Sequence, residues 1–490
     1  MHSNHKIVFK ILGLLTMSQG IGLMACSVFG FIYSEIKPAA SLITTGSICF
    51  VLGSLLFKLL RHNKIRLSAR KGYLIAFISW VYCSFIGAVA FFFSGQDYTL
   101  IGSFFESVAG FTTTGATVFN FEAMPKCLLL WRALSSWMGG MGIIVLVVSI
   151  FPALGISSQS IVPSETIESI PEKVGAKFSN TGKYLYIAYF SMTALELLLL
   201  WIGPLDFFSA LINTLTSIST GGLFVASGNL AVFSNLYVRF VILAFTVVSS
   251  INYYMLYLFL RGKRQLALSN FEIKTFFKII GVSSVIVAAS LWLSGTYDSL
   301  WQAFKDGLCQ VVSFASTSGY YVCDYTKWPT TCIVVLISLL FIGGCTMSTS
   351  GGLKVTRVAI FIKIIRRGIF LQIHPNAVKA VVVDKKAIEA KKVSSATMHI
   401  FLFFILTLLS CIIVAMDNLD LETTISAVVS LLSNTGAALG EIGPNSNYGI
   451  FSQPIQLFMS LLMIAGRLEL YAVILFFTRT FWTTDRVKAI

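Results

Sequence analysis

The chain has 490 residues, 56% hydrophobic and 12% charged, with a formal net charge of +15. A soluble globular chain runs at about 45–50% apolar and about 25% charged. The balance excludes an ordinary soluble enzyme, a disordered chain and a disulfide-stapled secreted domain. Apolar stretches of about twenty residues, enough to cross a bilayer, recur along the whole length. The chain therefore reads as an all-α polytopic membrane protein surrounded by membrane lipid. A basic excess in a soluble protein would point to nucleic acid. In a membrane chain the question is which side holds the charge, and no nucleic-acid partner is inferred.

Taken in order, Ile7–Tyr33 reads as a retained first helix, since no small-residue cleavage site follows its apolar core. Long apolar segments are centred near residues 20, 50, 83, 140, 192, 247, 283, 341, 406 and 466, which predicts about ten spans. Between them lie four shorter amphipathic stretches: Tyr98–Phe111, Asp206–Ile218, Ser299–Ala315 and Leu419–Leu432. At about 1.5 Å per residue they are too short for a hydrocarbon core of about 30 Å. They read as re-entrant half-helices, which survive at membrane depth only inside protein or along a water-filled cavity.

Each half-helix ends in a hydroxyl-rich turn with a glycine. The turns are Thr112-Thr113-Thr114-Gly115, Ile218-Ser219-Thr220-Gly221, Ser316-Thr317-Ser318-Gly319 and Ser433-Asn434-Thr435-Gly436, with glycines 106, 98 and 117 residues apart. An aspartate stands 15 to 21 residues before each: Asp97, Asp206, Asp298 and Asp420. The chain thus divides into two extra N-terminal spans (1–60) and four repeats of span, half-helix, turn and span. The repeats cover 71–152, 181–260, 272–371 and 395–482.

Basic residues set the topology. The N-terminus, segments 58–71, 165–183, 261–278 and 354–392, and the C-terminus hold 29 of the 36 Lys and Arg. The other side holds Lys37, Lys126, Lys305 and Lys327. The basic side, net +22, is expected to be cytoplasmic, and the outer side carries −8. All four half-helices then enter from outside. The repeats run parallel, with pseudo-fourfold symmetry around one pore.

Four turns meeting on one axis point four helix C-termini inward, each worth about −0.5 of a charge, which favours a cation. A Ser/Thr turn closed by glycine can aim successive carbonyls along a pore, and rings of carbonyls replace the hydration shell of potassium. Two further features stand out. The apolar run from Thr330 to Phe370 is interrupted at Gly343–Gly352, where four residues are glycine and four are Ser or Thr. Each glycine costs about 1 kcal/mol in a helix, so a break is expected there. Lys354 and Arg357 follow, placed to pass motion to a partner below. Arg467 sits deep in the last apolar segment, where a charge must face a pore or a partner; Glu469, two residues on, points elsewhere on a helix. Arg132 and Arg239 lie near the outer ends of spans, where snorkelling is expected. Glu196 reads as a satisfied interhelical group.

Five histidines and nine cysteines show no metal-ligand spacing. No nucleophile and base converge as an enzyme would need. No chain of intramembrane carboxylates or histidines forms a proton relay. That favours passive, gated flow over symport with a proton or sodium ion, and both modes stay open.

The turns, together with Gly440-Glu-Ile-Gly-Pro444, Gly343-Gly-Cys-Thr-Met-Ser-Thr-Ser-Gly-Gly-Leu-Lys354 and Gly466-Arg-Leu-Glu469, resemble the TrkH/KtrB family of bacterial potassium-uptake proteins. The two extra spans fit the TrkH branch. The resemblance covers the whole chain. It implies a filter for potassium, the transported ion, at Thr113, Thr114, Gly115, Ser219, Thr220, Gly221, Thr317, Ser318, Gly319, Asn434, Thr435 and Gly436. Glycine at all four filter positions goes with potassium preference in this family. The resemblance further implies an intramembrane gate made of Gly343, Gly344, Cys345, Thr346, Met347, Ser348, Thr349, Ser350, Gly351 and Gly352, with Arg467 as a positive barrier beneath the filter. It implies a homodimer in the bacterial inner membrane, standing on a cytosolic TrkA-like nucleotide-binding ring, with no organic cofactor on this chain.

Overall fold

The computed structural model describes residues 2–59, 69–140, 142, 178–222, 234–384, 386–444 and 446–478. The expected end of the first repeat at 143–152, the basic segment 165–177, the turn continuation 223–233, the loop 60–68 and the C-terminal residues 479–490 lie outside the described residues.

The two N-terminal helices, α1 (His2–Ile32) and α2 (Ile36–Leu59), form an antiparallel hairpin held by small residues. Gly13 and Gly20 on α1 face Gly53 and Gly46 on α2. A Cβ on Gly20 would fall 2.7 Å from Gly46 O, and one on Gly53 2.6 Å from Gly13 O. With lipid as solvent there is little hydrophobic drive between helices, so such close approach supplies the attraction by packing. The hairpin is not a bystander. Glu35, at its turn, accepts the Lys126 and Cys127 N–H groups at 2.7 and 2.9 Å. It thereby caps the first closing helix, α5.

One element order then recurs. A long helix, α3 (Ala69–Phe92), is followed by a short one, α4 (Leu100–Phe111), a turn, and the closing helix α5 (Lys126–Gly140). The second unit has α6 (Phe178–Ile202), α7 (Phe207–Ile218), and a closing pair α8 (Leu236–Ser249) and α9 (Tyr253–Leu260). After the short connector α10 (Arg264–Ser269), the third has α11 (Phe271–Leu293), α12 (Leu300–Ala315), α13 (Thr330–Ile342) and α14 (Val355–Ile373). A two-stranded hairpin, β1 (Val382–Val383) with β2 (Lys386–Ala387), leads to the fourth: α15 (Ala390–Val414), α16 (Leu421–Leu432), α17 (Gln453–Arg467) and α18 (Tyr471–Phe477).

The short helices match the sequence expectation to within two residues at each start. Their starts are capped in different ways. Asp206 and Asp420 cap α7 and α16, but Thr99 caps α4, and Ser299 makes no side-chain cap on α12. Asp97 and Asp298 are not the caps. At Asp420 the Thr423 hydroxyl and neighbouring backbone N–H groups hold the carboxyl below its usual range.

The apolar segments do not all form continuous membrane-length helices among the described residues. Six described helices are long and apolar enough to cross a membrane, and α8 and α9 make a seventh path bent by 104°. The closing helices account for the difference. α8 and α9 part at 250–252, α13 and α14 at 343–354, and α17 and α18 at 468–470, while α5 is described only to Gly140. Hydropathy counts apolar residues and is blind to helical continuity. Only the break at 343–354 carried a glycine signal strong enough to read.

The closing helices also decide how the units join. α5 packs on α7, α8 on α12, α13 on α16, and α17 returns to α4. Each closing helix lies against the short helix of the next unit, and the last against the first, so the packing runs in a closed ring.

Gly46→Leu should separate the N-terminal hairpin and lower the melting temperature of the purified protein in detergent. The expected cost is about 1–3 kcal/mol, the range for overpacking. Thermal unfolding followed by size-exclusion chromatography checks it.

Candidate functional site

The four short helices end alike. Thr112, Ser219, Ser316 and Ser433 are their C-caps, with φ between −86° and −79°. The next residues, Thr113, Thr220, Thr317 and Asn434, are left-handed, with φ of 52–56°. In each turn that residue's N–H reaches back three carbonyls and the following N–H reaches back five, at 2.8–3.2 Å. This double bond pattern satisfies the last carbonyls of the helix. Glycine is the usual occupant of the left-handed position. Here three of four are threonine, at about 1–2 kcal/mol each for the handedness alone. Such strain is held only where surrounding packing enforces it.

This register shifts one sequence assignment. Gly115, Gly319 and Gly436 follow the left-handed residue by two and have φ of 69–78°. In the second turn the residue in that place is Gly222, with φ 62°, not Gly221. Gly221 stands level with Thr114, Ser318 and Thr435. The tripeptide pattern pointed to the first of two adjacent glycines, and only the helix end tells them apart.

The glycines explain how the turns meet. A Cβ on Gly115 would lie 2.5 Å from Gly221 O. One on Gly222 would run into Ser318 O, one on Gly319 into Thr435 O, and one on Gly436 into Thr114 O. Each glycine thus abuts the main-chain oxygen just before the glycine of the next turn. Four oxygens, on Thr114, Gly221, Ser318 and Thr435, close into one ring. No donor among the described residues is hydrogen-bonded to any of them. The Thr113 and Thr435 hydroxyls are likewise buried without a hydrogen-bond partner among the described residues. Asn434 ties the ring to its frame, donating to Thr114 Oγ1 at 3.0 Å and to Met463 O at 2.8 Å.

Behind the ring, side chains on the short helices hold the chain as it leaves each turn. Glu106 accepts the Val118 N–H at 3.2 Å and the Thr117 hydroxyl at 3.0 Å. Gln310 accepts the Val322 N–H at 3.4 Å, and Ser426 the Leu439 N–H at 3.0 Å. In all three the held N–H is three residues after the glycine. Glu106 and Gln310 stand nine residues before it, as does Asn213 before Gly222. That polar position is a signal in the sequence separate from the Ser/Thr-Gly turns.

Two arginines expected to snorkel do not. Arg132 is fully buried, 2.7 Å from Glu106, and donates to Ala116 O at 2.9 Å. Arg239 pairs with Asp306 of the third unit at 2.5 Å. Each has an acidic partner on a short helix that sequence distance concealed. Glu196 accepts the Ser217 hydroxyl at 2.6 Å through one oxygen. Its other oxygen is buried without a hydrogen bond among the described residues, so the group is half satisfied.

Below the ring the breaks in the closing helices come together. Residues 343–354 leave helical geometry, with Gly343 at φ 70° and Gly352 at φ 75°. The loop is anchored on the second unit. Cys345 N–H donates to Ser250 O at 3.0 Å, and the Thr349 hydroxyl to Ser249 O at 3.1 Å and Ile218 O at 3.3 Å. It also touches the turns: Thr220 donates to Thr349 Oγ1 at 3.3 Å, and Gly351 N–H to Thr317 Oγ1 at 2.7 Å. A Cβ on Gly351 would meet Ser433 O.

Arg467, the last residue of α17, completes the layer. It donates to Thr349 O at 2.6 Å and to Gly139 O and Gly140 O at 2.7 and 2.8 Å. It therefore bridges the loop to the last described turn of α5. Glu469 points elsewhere, but not because a helix turns it away. The helix has ended, Glu469 and Leu470 are left-handed, and Glu469 forms an ion pair with Arg357. Arg357 and Lys354 are themselves buried, Lys354 on Ser350 O. Neither is presented to a partner below, since the loop turns both inward.

A closed ring of short helices around converging main-chain oxygens, set among membrane-length helices, defines a multi-pass membrane transport protein. Residues 39–483 match the TrkH family, described as a cation transport protein. The Trk system potassium uptake protein TrkH of Escherichia coli K12 is 29% identical over 485 residues, 97% of this chain and 99% of that one. TrkG of the same organism is 28% identical over 98% and 100% of the two chains. The crystal structure of the potassium transporter TrkH from Vibrio parahaemolyticus aligns with a TM-score of 0.88 at 26% identity, covering 99% of this chain and all of that one. The chain belongs to the TrkH family of cation transport proteins, among the potassium uptake transporters of Trk systems.

Breaking the buried Glu106–Arg132 pair should be costly, because it leaves one charge without a partner. Arg132→Ala should lose about 3–5 kcal/mol of stability, read as a fall in melting temperature and in the yield of folded protein.

Proposed function

We propose that this chain takes up potassium through the axis of its ring of turns. The four oxygens of Thr114, Gly221, Ser318 and Thr435, with the hydroxyls beside them, replace part of the ion's hydration shell. The observation that carries the reading is the closed sequence of glycine-to-carbonyl contacts around the four turns. A larger residue at any of these glycines pushes on an oxygen that the ion needs. The inward C-termini of α4, α7, α12 and α16 add a favourable field for a cation.

The loop 343–352 is the gate in this reading. It lies against three of the four turns and is pinned by Arg467, whose charge also opposes cation occupancy below the ring. Opening requires the loop and Arg467 to part. The basic side of the membrane is the cytoplasm by the positive-inside rule, with both termini there. The outer face keeps an acidic excess that concentrates cations. Glu106 and Asp306, paired with arginines inside the protein, contribute little to it. Passive, gated flow is favoured over symport, because among the described residues the buried carboxylates Glu106, Asp306 and Glu469 are held in ion pairs. A homodimer on a cytosolic TrkA-like nucleotide-binding ring in the bacterial inner membrane follows from the family resemblance. The exposed basic residues of 363–392 are the surface offered to such a partner.

Purified protein in liposomes should conduct along a potassium gradient alone. Strict dependence on a proton or sodium gradient would replace the channel reading with symport. Gly115→Ser and Gly436→Ala should lower potassium flux or the preference over sodium while the protein is still made. Unchanged flux and selectivity in both would remove the filter assignment. Arg467→Ala should raise basal potassium flux about tenfold, the effect of about 1.4 kcal/mol on a barrier, measured in the same liposomes.

A further inference from the structure

The intramembrane loop is held by a third charged group besides Arg467 and Lys354. Glu272 accepts the Thr346 N–H at 2.6 Å through Oε1 and the Thr346 hydroxyl at 2.8 Å through Oε2. It is 1% exposed. Glu272 is the second residue of α11. Asn270 caps that helix, accepting the Glu272 and Ile273 N–H groups at 2.9 and 3.2 Å. The carboxylate therefore sits at the positive end of a helix, which favours its charged form. Neither the carbonyl ring nor the arginine bridge calls for an acid there.

The choice of partner is the informative point. A buried carboxylate is expensive unless fully hydrogen-bonded. Both of its oxygens bond one loop residue, inside a segment bounded by two left-handed glycines. If the loop leaves, both oxygens lose the Thr346 donors together, and among the described residues only Thr356 and Lys354 remain beside the carboxylate.

We propose that Glu272 is a positioning residue that latches the loop shut, and that its carboxylate faces the cation path once Thr346 withdraws. The proposal rests on the reading of the loop as the gate. The latch also has a link to the surface. Asp384 of the hairpin accepts the Phe271 N–H at 3.1 Å, one residue before Glu272. Lys363 donates to Val382 O at 2.6 Å and stands 4.0 Å from the Phe271 ring centre. A contact on the hairpin therefore reaches the start of α11 directly.

The test uses the full chain in liposomes with a potassium gradient and no regulatory subunit. Glu272→Gln, Thr346→Val and Arg467→Ala are compared with the wild type. Thr346→Val keeps the carboxylate and the backbone bond, so it serves if Glu272→Gln does not fold. The latch predicts that both Glu272→Gln and Thr346→Val raise basal potassium flux, Glu272→Gln by about tenfold, with the potassium-to-sodium ratio unchanged. The double variant should leak no more than the worse single one, since both break one contact. Cys345, buried in the loop, should become reactive to a water-soluble maleimide in the variants, read by mass spectrometry of its peptide. A merely structural role would not expose Cys345 in folded protein at unchanged selectivity. Wild-type flux in both latch variants, with Arg467→Ala leaking, overturns the latch and leaves the gate reading standing. Wild-type flux in all three overturns both. Reduced flux in folded Glu272→Gln with Cys345 still protected also overturns the latch.

Discussion

A main chain that leaves helical geometry at membrane depth has no water to satisfy it. The whole arrangement follows from how four helix ends meet that constraint. Each turn folds its N–H groups back onto its own helix and leaves one carbonyl oxygen without a donor. Each of those oxygens is then set against a glycine of the neighbouring turn. The approach is close enough that a Cβ is excluded at Gly115, Gly222, Gly319 and Gly436. Four polar oxygens are thereby held together where the four units meet.

The frame around the ring is built to hold that cost. The left-handed residues are strained, and five residues beyond Thr113, Thr317 and Asn434 the chain is fastened from behind by Glu106, Gln310 and Ser426. The Glu106–Arg132 pair is buried outright, so its value lies less in net stability than in fixing one geometry. Arg239 and Asp306 do the same between the second and third units. The N-terminal hairpin joins this frame through Glu35, which caps the helix that carries Arg132.

A second layer lies beneath the first, made of interruptions. Breaks in three closing helices and the last described turn of α5 contribute to it: Ser249 and Ser250, the loop 343–352, Arg467, and Gly139 with Gly140. Free carbonyls at one break accept the donors of another. Arg467 is held by three main-chain oxygens from two units, and the loop by Glu272, Arg467 and the serine carbonyls of α8. The interrupted helices are thus satisfied by one another.

Much of this was legible in the chain itself. The 3.6-residue period and the glycine-closed Ser/Thr turns located the four short helices almost to the residue, and the glycine run at 343–352 announced a break. These are local signals, because helix length, capping and backbone conformation depend on neighbours in sequence. Long-range pairing was not legible. Arg132 and Arg239 looked like surface anchors because Glu106 and Asp306 lie 26 and 67 residues away. Gly221 looked like the filter glycine because the exact end of α7 decides between it and Gly222. The breaks at 250–252 and 468–470 were hidden, since apolar composition runs through them. The sequence alone determined a membrane protein of four turn-bearing repeats. Only the tertiary structure decided which oxygens face one another and which charges neutralise which, because those depend on a ring that closes between residues 114 and 436, at opposite ends of the repeat series.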